Sequence, residues 1–235
     1  RIYSFCDRTS IFKHNDVDYE IIINNHNYLE PNMIYRLWSD NKKTYLFLDR
    51  EHYRKNKLQH KFNKYELDLY NITNYFPGKY FQKQKTKGKG ELINTIVVNN
   101  FTNCGWGLLA QHILIKEGYG GSDNNIYMLV HMKNILKSAL KNMIFVNYYI
   151  NGKTKKQIEN EIEYLTFYDK EEIRLLISQS LESPLESNFE IIGYLKLKEM
   201  YDNFGSDKIS YFNSILLENT HLSPKLIKEF KFSDD

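Results

Sequence analysis

Proline and glycine are scarce in this sequence, with 4 and 11 among 235 residues. So few chain breakers exclude proline-rich or glycine-rich linker architectures and leave room for long regular elements. Cysteine is scarcer still. Cys6 and Cys104 are too few and too far apart for a disulfide framework, and they make no zinc site by themselves. They read as free or buried thiols. No apolar run reaches the ~18 residues that a membrane-spanning helix needs. Nor does charge of one sign dominate: 32 Lys and Arg stand against 29 Asp and Glu, a formal net charge of +3, so bulk charge does not argue for nucleic acid. No signal peptide is recognisable. The chain opens on Arg1 rather than Met, so that lack says little about export.

What is abundant is aromatic and apolar. There are 19 Tyr and 14 Phe, and 42% of the residues are hydrophobic, enough for a sizeable core. The richness in Asn, Lys, Ile and Tyr fits an AT-rich coding sequence as readily as a structural demand. Residues 1–61 read as strands and loops packed on the same domain. Tyr19–Ile23 is a β-rich run, and Met33–Trp38 and Thr44–Leu48 flank the polar turn 39–43, which predicts a β-hairpin. Residues 62–235 read as helical. Gly118, Gly120 and Gly121 end a helix. Asp123, Thr154 with Gln157, Asp169 with Glu172, Ser183-Pro184 and Ser223-Pro224 each open one. Lys79, Lys83 and Lys87 recur every four residues on one helix face, with Lys85 and Lys89 beside them. A solvated basic face is the plain reading. Anion or nucleic-acid binding through Lys83, Lys85 and Lys87 is the alternative.

Two constellations carry more information. One is Thr73-Asn74-Tyr75-Phe76-Pro77-Gly78-Lys79-Tyr80-Phe81-Gln82. The other is Phe101-Thr102-Asn103-Cys104-Gly105-Trp106-Gly107-Leu108-Leu109-Ala110-Gln111. Together they resemble a bacterial family known as domain of unknown function 885, whose members look like all-helical zinc peptidases related to thermostable carboxypeptidases. The family patterns are His-Glu-x-x-Pro-Gly-His and Phe-x-Glu-Gly-Trp-Ala-x-Tyr-Ala-Glu. Pro77, Gly78, Gln82, Phe101, Gly105, Trp106 and Ala110 match them. The resemblance continues through Glu117-Gly118-Tyr119-Gly120, Asn151-Gly152, Ser183-Pro184 and Gly193-Tyr194-Leu195. It implies a mainly α, zincin-like (neurolysin-like) scaffold with a small antiparallel β-hairpin or sheet near the N-terminus. It further implies that the chain corresponds to the C-terminal half of a longer fold.

The departures set the functional expectation. Where the family has its two His ligands, its general base and its later Glu ligand, this chain has Thr73, Lys79, Asn74 and Cys104. Zinc needs converging imidazole, thiolate or carboxylate donors, and an ammonium repels it. Asn74 cannot accept the proton of an attacking water. The expectation is therefore a pseudo-enzyme with no catalytic residue and no bound metal, used for binding a protein or peptide, including a missing N-terminal half. Tyr194, Gln111 and Trp106 are its groove candidates. A Lys79 ammonium could replace the charge of the lost ion. An active zinc peptidase with a non-standard site is an alternative, with His52, His60 or His112 as donors. Nothing names the compartment; a bacterial exported or cell-envelope location is compatible.

Overall fold

The computed structural model describes residues 1–12, 19–24, 35–39, 44–49, 63–87, 99–204 and 208–231. Helices build the body. They are α1 (Ile2–Thr9), α2 (Lys64–Asn74), α3 (Lys79–Lys87), α4 (Asn100–Lys116), α5 (Asn124–Phe145), α6 (Lys155–Leu165), α7 (Lys170–Glu182), α8 (Pro184–Phe204), α9 (Ile209–Glu218) and α10 (Pro224–Lys231).

Helix α4 is the central element. Eleven of its seventeen residues are buried, so it has no solvent face, as expected of a helix that is apolar all round. Asn99 caps it by accepting from the Thr102 N–H at 3.1 Å. Around α4 lie α2, α3, α5 and α8. Its approach to α8 is set by two glycines. A Cβ on Gly105 would fall 2.3 Å from the Gly193 carbonyl carbon, and one on Gly193 would fall 2.0 Å from the Phe101 oxygen. The two backbones touch, and any side chain at either position would separate them. A second, smaller core joins Leu140 and Ile144 of α5 to Ile158 and Ile162 of α6 and Ile173, Leu176 and Ile177 of α7.

Local signals explain most helix starts. The capping boxes at Thr154/Gln157 and Asp169/Glu172 both form. Gly118, Gly120, Gly121 and Gly152 all take positive φ, ending α4 and turning the chain after α5. Asp123 behaves differently. It occupies the N-cap position of α5 but makes no cap bond; its carboxylate accepts from Lys64 Nζ at 3.1 Å and Tyr65 OH at 3.3 Å.

Two expectations for the N-terminal region are corrected. Residues 1–61 are not all strand and loop: α1 buries Phe5 and Cys6, and Ile11 and Phe12 follow them into the main core. The expected small antiparallel hairpin or sheet is corrected as well, because the strand pairing is mixed and not purely antiparallel. The extended segments β1 (Tyr19–Asn24), β2 (Tyr35–Ser39) and β3 (Thr44–Asp49) form a ladder of their own that is mixed: β1 runs parallel to β3, and β2 antiparallel to it.

Candidate functional site

The two sequence constellations meet in space. Trp106 Nε1 donates to the Pro77 carbonyl at 2.8 Å, which pins the turn between α2 and α3 onto α4. Gly78 lets that turn fold back: a Cβ there would lie 2.0 Å from the Thr73 oxygen. Gly107, one turn beyond Cys104 on α4, faces the same place. A Cβ on it would sit 2.6 Å from Thr73 Cγ2 and 3.5 Å from Lys79 Cε. Thr73, Lys79 and Cys104 are therefore gathered on one side of α4.

Behind Thr73 runs a buried polar chain. Gln111 Nε2 donates to the Leu69 carbonyl at 3.0 Å and to Thr73 Oγ1. A carbonyl only accepts, so the amide nitrogen of Gln111 faces Leu69 and its Oε1 faces His131 Nδ1, 2.8 Å away. Nδ1 therefore carries the imidazole proton, and Nε2 presents a lone pair to the Tyr194 hydroxyl at 3.5 Å. Burial, aided by the neighbouring His112, pushes His131 down to about 3 and keeps it neutral. His112 stacks obliquely on it, with ring centres 5.7 Å apart, and is itself pushed down to about 4 by burial and then by Lys198. Burial raises the Tyr194 phenol to about 12.

On the other side of Thr73 lies a partly exposed charge pair. Lys79 Nζ stands 3.9 Å from Glu190 Oε1 of α8, with the two side chains 39% and 24% exposed. Ser138 Oγ donates to the second oxygen, Glu190 Oε2, at 2.9 Å. Cys104 looks onto this pair. Burial raises its thiol, and Glu190 and Glu186 add to that rise against the opposing pull of Lys79, so Cys104 is a protonated thiol at neutral pH.

This donor set does not suit zinc. It offers a threonine hydroxyl, an ammonium already paired with a carboxylate, and a thiol that holds its proton. Asn74, the fourth position, turns back on its own helix and donates to the Tyr70 carbonyl at 3.1 Å. Among the described residues no three His, Cys, Asp or Glu side chains converge as metal ligands. His14, His26, His52 and His60 lie outside the described residues.

The groove expected from Tyr194, Gln111 and Trp106 is corrected. All three are buried, Trp106 completely, because Gly105 and Gly193 bring α4 and α8 into backbone contact and close the space between them. The lysines of α3 differ in their surroundings. Lys79 turns toward Glu190, and Lys85 Nζ lies over the Phe81 ring at 5.1 Å. Lys83 is exposed, and the Lys87 side chain lies outside what the structure describes. His131 and Glu190 were not among the residues expected at the site. Each stands alone in sequence within a helix, and only the packing of α5 and α8 against α4 gives it partners.

No protein-family model and no curated protein matches the chain. Solved structures share its fold, two of which are as follows. A protein of Colwellia psychrerythraea described as a lipoprotein superposes with a TM-score of 0.76 at 15% identity over 97% of this chain and 40% of its own. One from Shewanella oneidensis, described as a lipoprotein of unknown function, superposes with a TM-score of 0.76 at 14% identity over 99% of this chain and 44% of its own. The chain thus spans less than half the length of either structure whose fold it shares.

Proposed function

We propose that the chain is a catalytically inactive, metallopeptidase-like scaffold that binds a protein or peptide. The observation that carries this reading is the Lys79–Glu190 pair. The family resemblance puts a metal-ligating His at position 79. Here an ammonium stands there beside a carboxylate, supplying fixed positive charge where the resembled enzymes use an ion. Thr73 and Cys104 flank it and offer neither a second ligand nor a base. The polar chain behind, from Gln111 to Tyr194, is satisfied internally and holds the scaffold rather than a reactant.

A partner would meet the rim of this site, since the inner residues are sealed. Lys79, Glu190 and half-buried Cys104 are the groups within reach. Among the described residues no helix is long and apolar enough to cross a membrane. The description of both structural neighbours as lipoproteins supports an exported or cell-envelope location in a bacterium. Two measurements test the proposal together: metal content of the purified chain and cleavage of a mixed peptide pool. The expected result is no stoichiometric zinc and no turnover. Either one would contradict it.

A further inference from the structure

Helix α5 carries Lys133, Lys137 and Lys141 at intervals of four residues, so they share one face. The row runs past the Lys79–Glu190 pair. Ser138, next to Lys137, donates to Glu190, and Glu190 and Glu66 are the carboxylates whose charge Lys137 feels. Both are already engaged. Glu66 accepts from Lys133 Nζ at 3.1 Å, and Glu190 holds Lys79 and Ser138. Lys137 and Lys141 are left without an ion pair or hydrogen bond among the described residues. Lys137 is open to solvent, but protein crowds it as well. Desolvation, and next Lys141, hold its ammonium below the ordinary lysine range against the opposing pull of Glu190. A poorly hydrated cation that a solute can still reach gains more from an incoming anion than a fully hydrated one does.

We propose that Lys137 and Lys141 recognise an acidic peptide segment, taking two of its carboxylates while the segment lies along the Lys79–Glu190 rim. The inference rests on reading that rim as a peptide-binding surface, and it names the chemistry of the partner. The two lysines sit on successive turns of one helix, with Cβ atoms about 5–6 Å apart. Alternate side chains of an extended peptide are spaced by nearly the same distance, two residues at about 3.3 Å each. A densely charged polyanion suits the place less well, because its further charges would meet Glu66 and Glu190 beside the lysines. A segment with isolated carboxylates avoids that repulsion.

The test uses a short peptide blocked at both ends, with two glutamates separated by one residue, and its counterpart with glutamine in both places. Each is titrated at low salt into isotopically labelled protein and followed by lysine side-chain chemical shifts. The glutamate peptide is expected to shift Lys137 and Lys141 and to bind about fivefold or more tightly than the glutamine peptide, with the difference shrinking in high salt. K137A/K141A should remove the preference, and K137E/K141E should turn it toward a lysine-containing peptide. K155A/K225A takes the same charge from exposed positions on α6 and α10 and should leave the preference intact. Equal binding of the two peptides would overturn the inference and keep the peptide-binding reading of the rim. Binding of neither, a preference that survives in K137A/K141A or is lost in K155A/K225A, or tighter binding of hexathymidylate than of the glutamate peptide would overturn it too. Cleavage of either peptide would instead contradict the inactive scaffold.

Discussion

Gln111 holds Thr73 and His131 at once, donating to the hydroxyl of one and accepting from Nδ1 of the other. One buried amide thereby links α2, α4 and α5. Replacing it with Glu keeps an acceptor for His131 but removes the Nε2 donor to the Leu69 carbonyl and Thr73 Oγ1. Q111E is expected to destabilise the fold by about 2 kcal/mol and to raise the His131 pKa. Denaturant unfolding and an imidazole NMR titration read the two effects. Unchanged stability would mean that the amide is not holding the helices together.

The two histidines make stability depend on pH. In the folded chain they are pushed down to about 3 and about 4, whereas unfolded imidazole titrates near ~6.5. Between those values the unfolded chain binds more protons, so stability rises with pH and is lost as pH falls from about 6.5 toward about 4. The slope is at most about 1.4 kcal/mol per pH unit for each histidine. Asp123 and Glu159 are held below the usual carboxylate range by Lys64 and Lys156, and they add acid sensitivity only further down. Unfolding between pH 7 and 5 should show the histidine slope, and His131→Gln should reduce it by about half. A flat profile in the parent chain would show that His131 is not neutral and buried.

Backbone contact between α4 and α8 rests on Gly105 and Gly193. Gly193→Ala would place a methyl 2.0 Å from the Phe101 oxygen, which belongs to a helix that cannot yield locally. A loss of at least about 2 kcal/mol is expected. Thermal unfolding of G193A checks it, with Gly152→Ala as a control at a site where the added methyl meets no atom but the positive φ is strained.

Short-range features of this fold were legible in the sequence, and long-range ones were not. The capping boxes at Thr154 and Asp169 formed as expected, because donor and acceptor lie three residues apart. Asp123 was expected to cap α5 without a capping box, but its carboxylate went to Lys64 and Tyr65, 59 and 58 residues earlier in the chain. Helix α1 was hidden by its shortness, although Ile2, Phe5 and Cys6 have helical spacing. Trp106, Gln111 and Tyr194 suggested a groove because their residue types suit one. The contact that buries them joins Gly105 to Gly193, and two glycines carry no hydropathy signal. Glu190 could be connected with Lys79 only once α8 and α3 had both been packed against α4.

The charge pair has its own prediction. Lys79→Ala should cost about 0.5–1 kcal/mol at low ionic strength and less in high salt, because both partners are partly exposed. A double-mutant cycle with Glu190→Gln should return a coupling of similar size. Zero coupling would remove the claim that the lysine replaces an ion's charge.

Zinc stoichiometry tests the central claim most directly. The chain should be purified with added zinc salt, passed through a desalting column and analysed for metal per chain, alongside a peptide-cleavage assay on the same sample. The account predicts well under about 0.1 zinc per chain and no cleavage, since Thr73, Lys79 and a protonated Cys104 give the ion nothing to hold. One tightly held zinc per chain, or peptide turnover that a chelator abolishes, would contradict it.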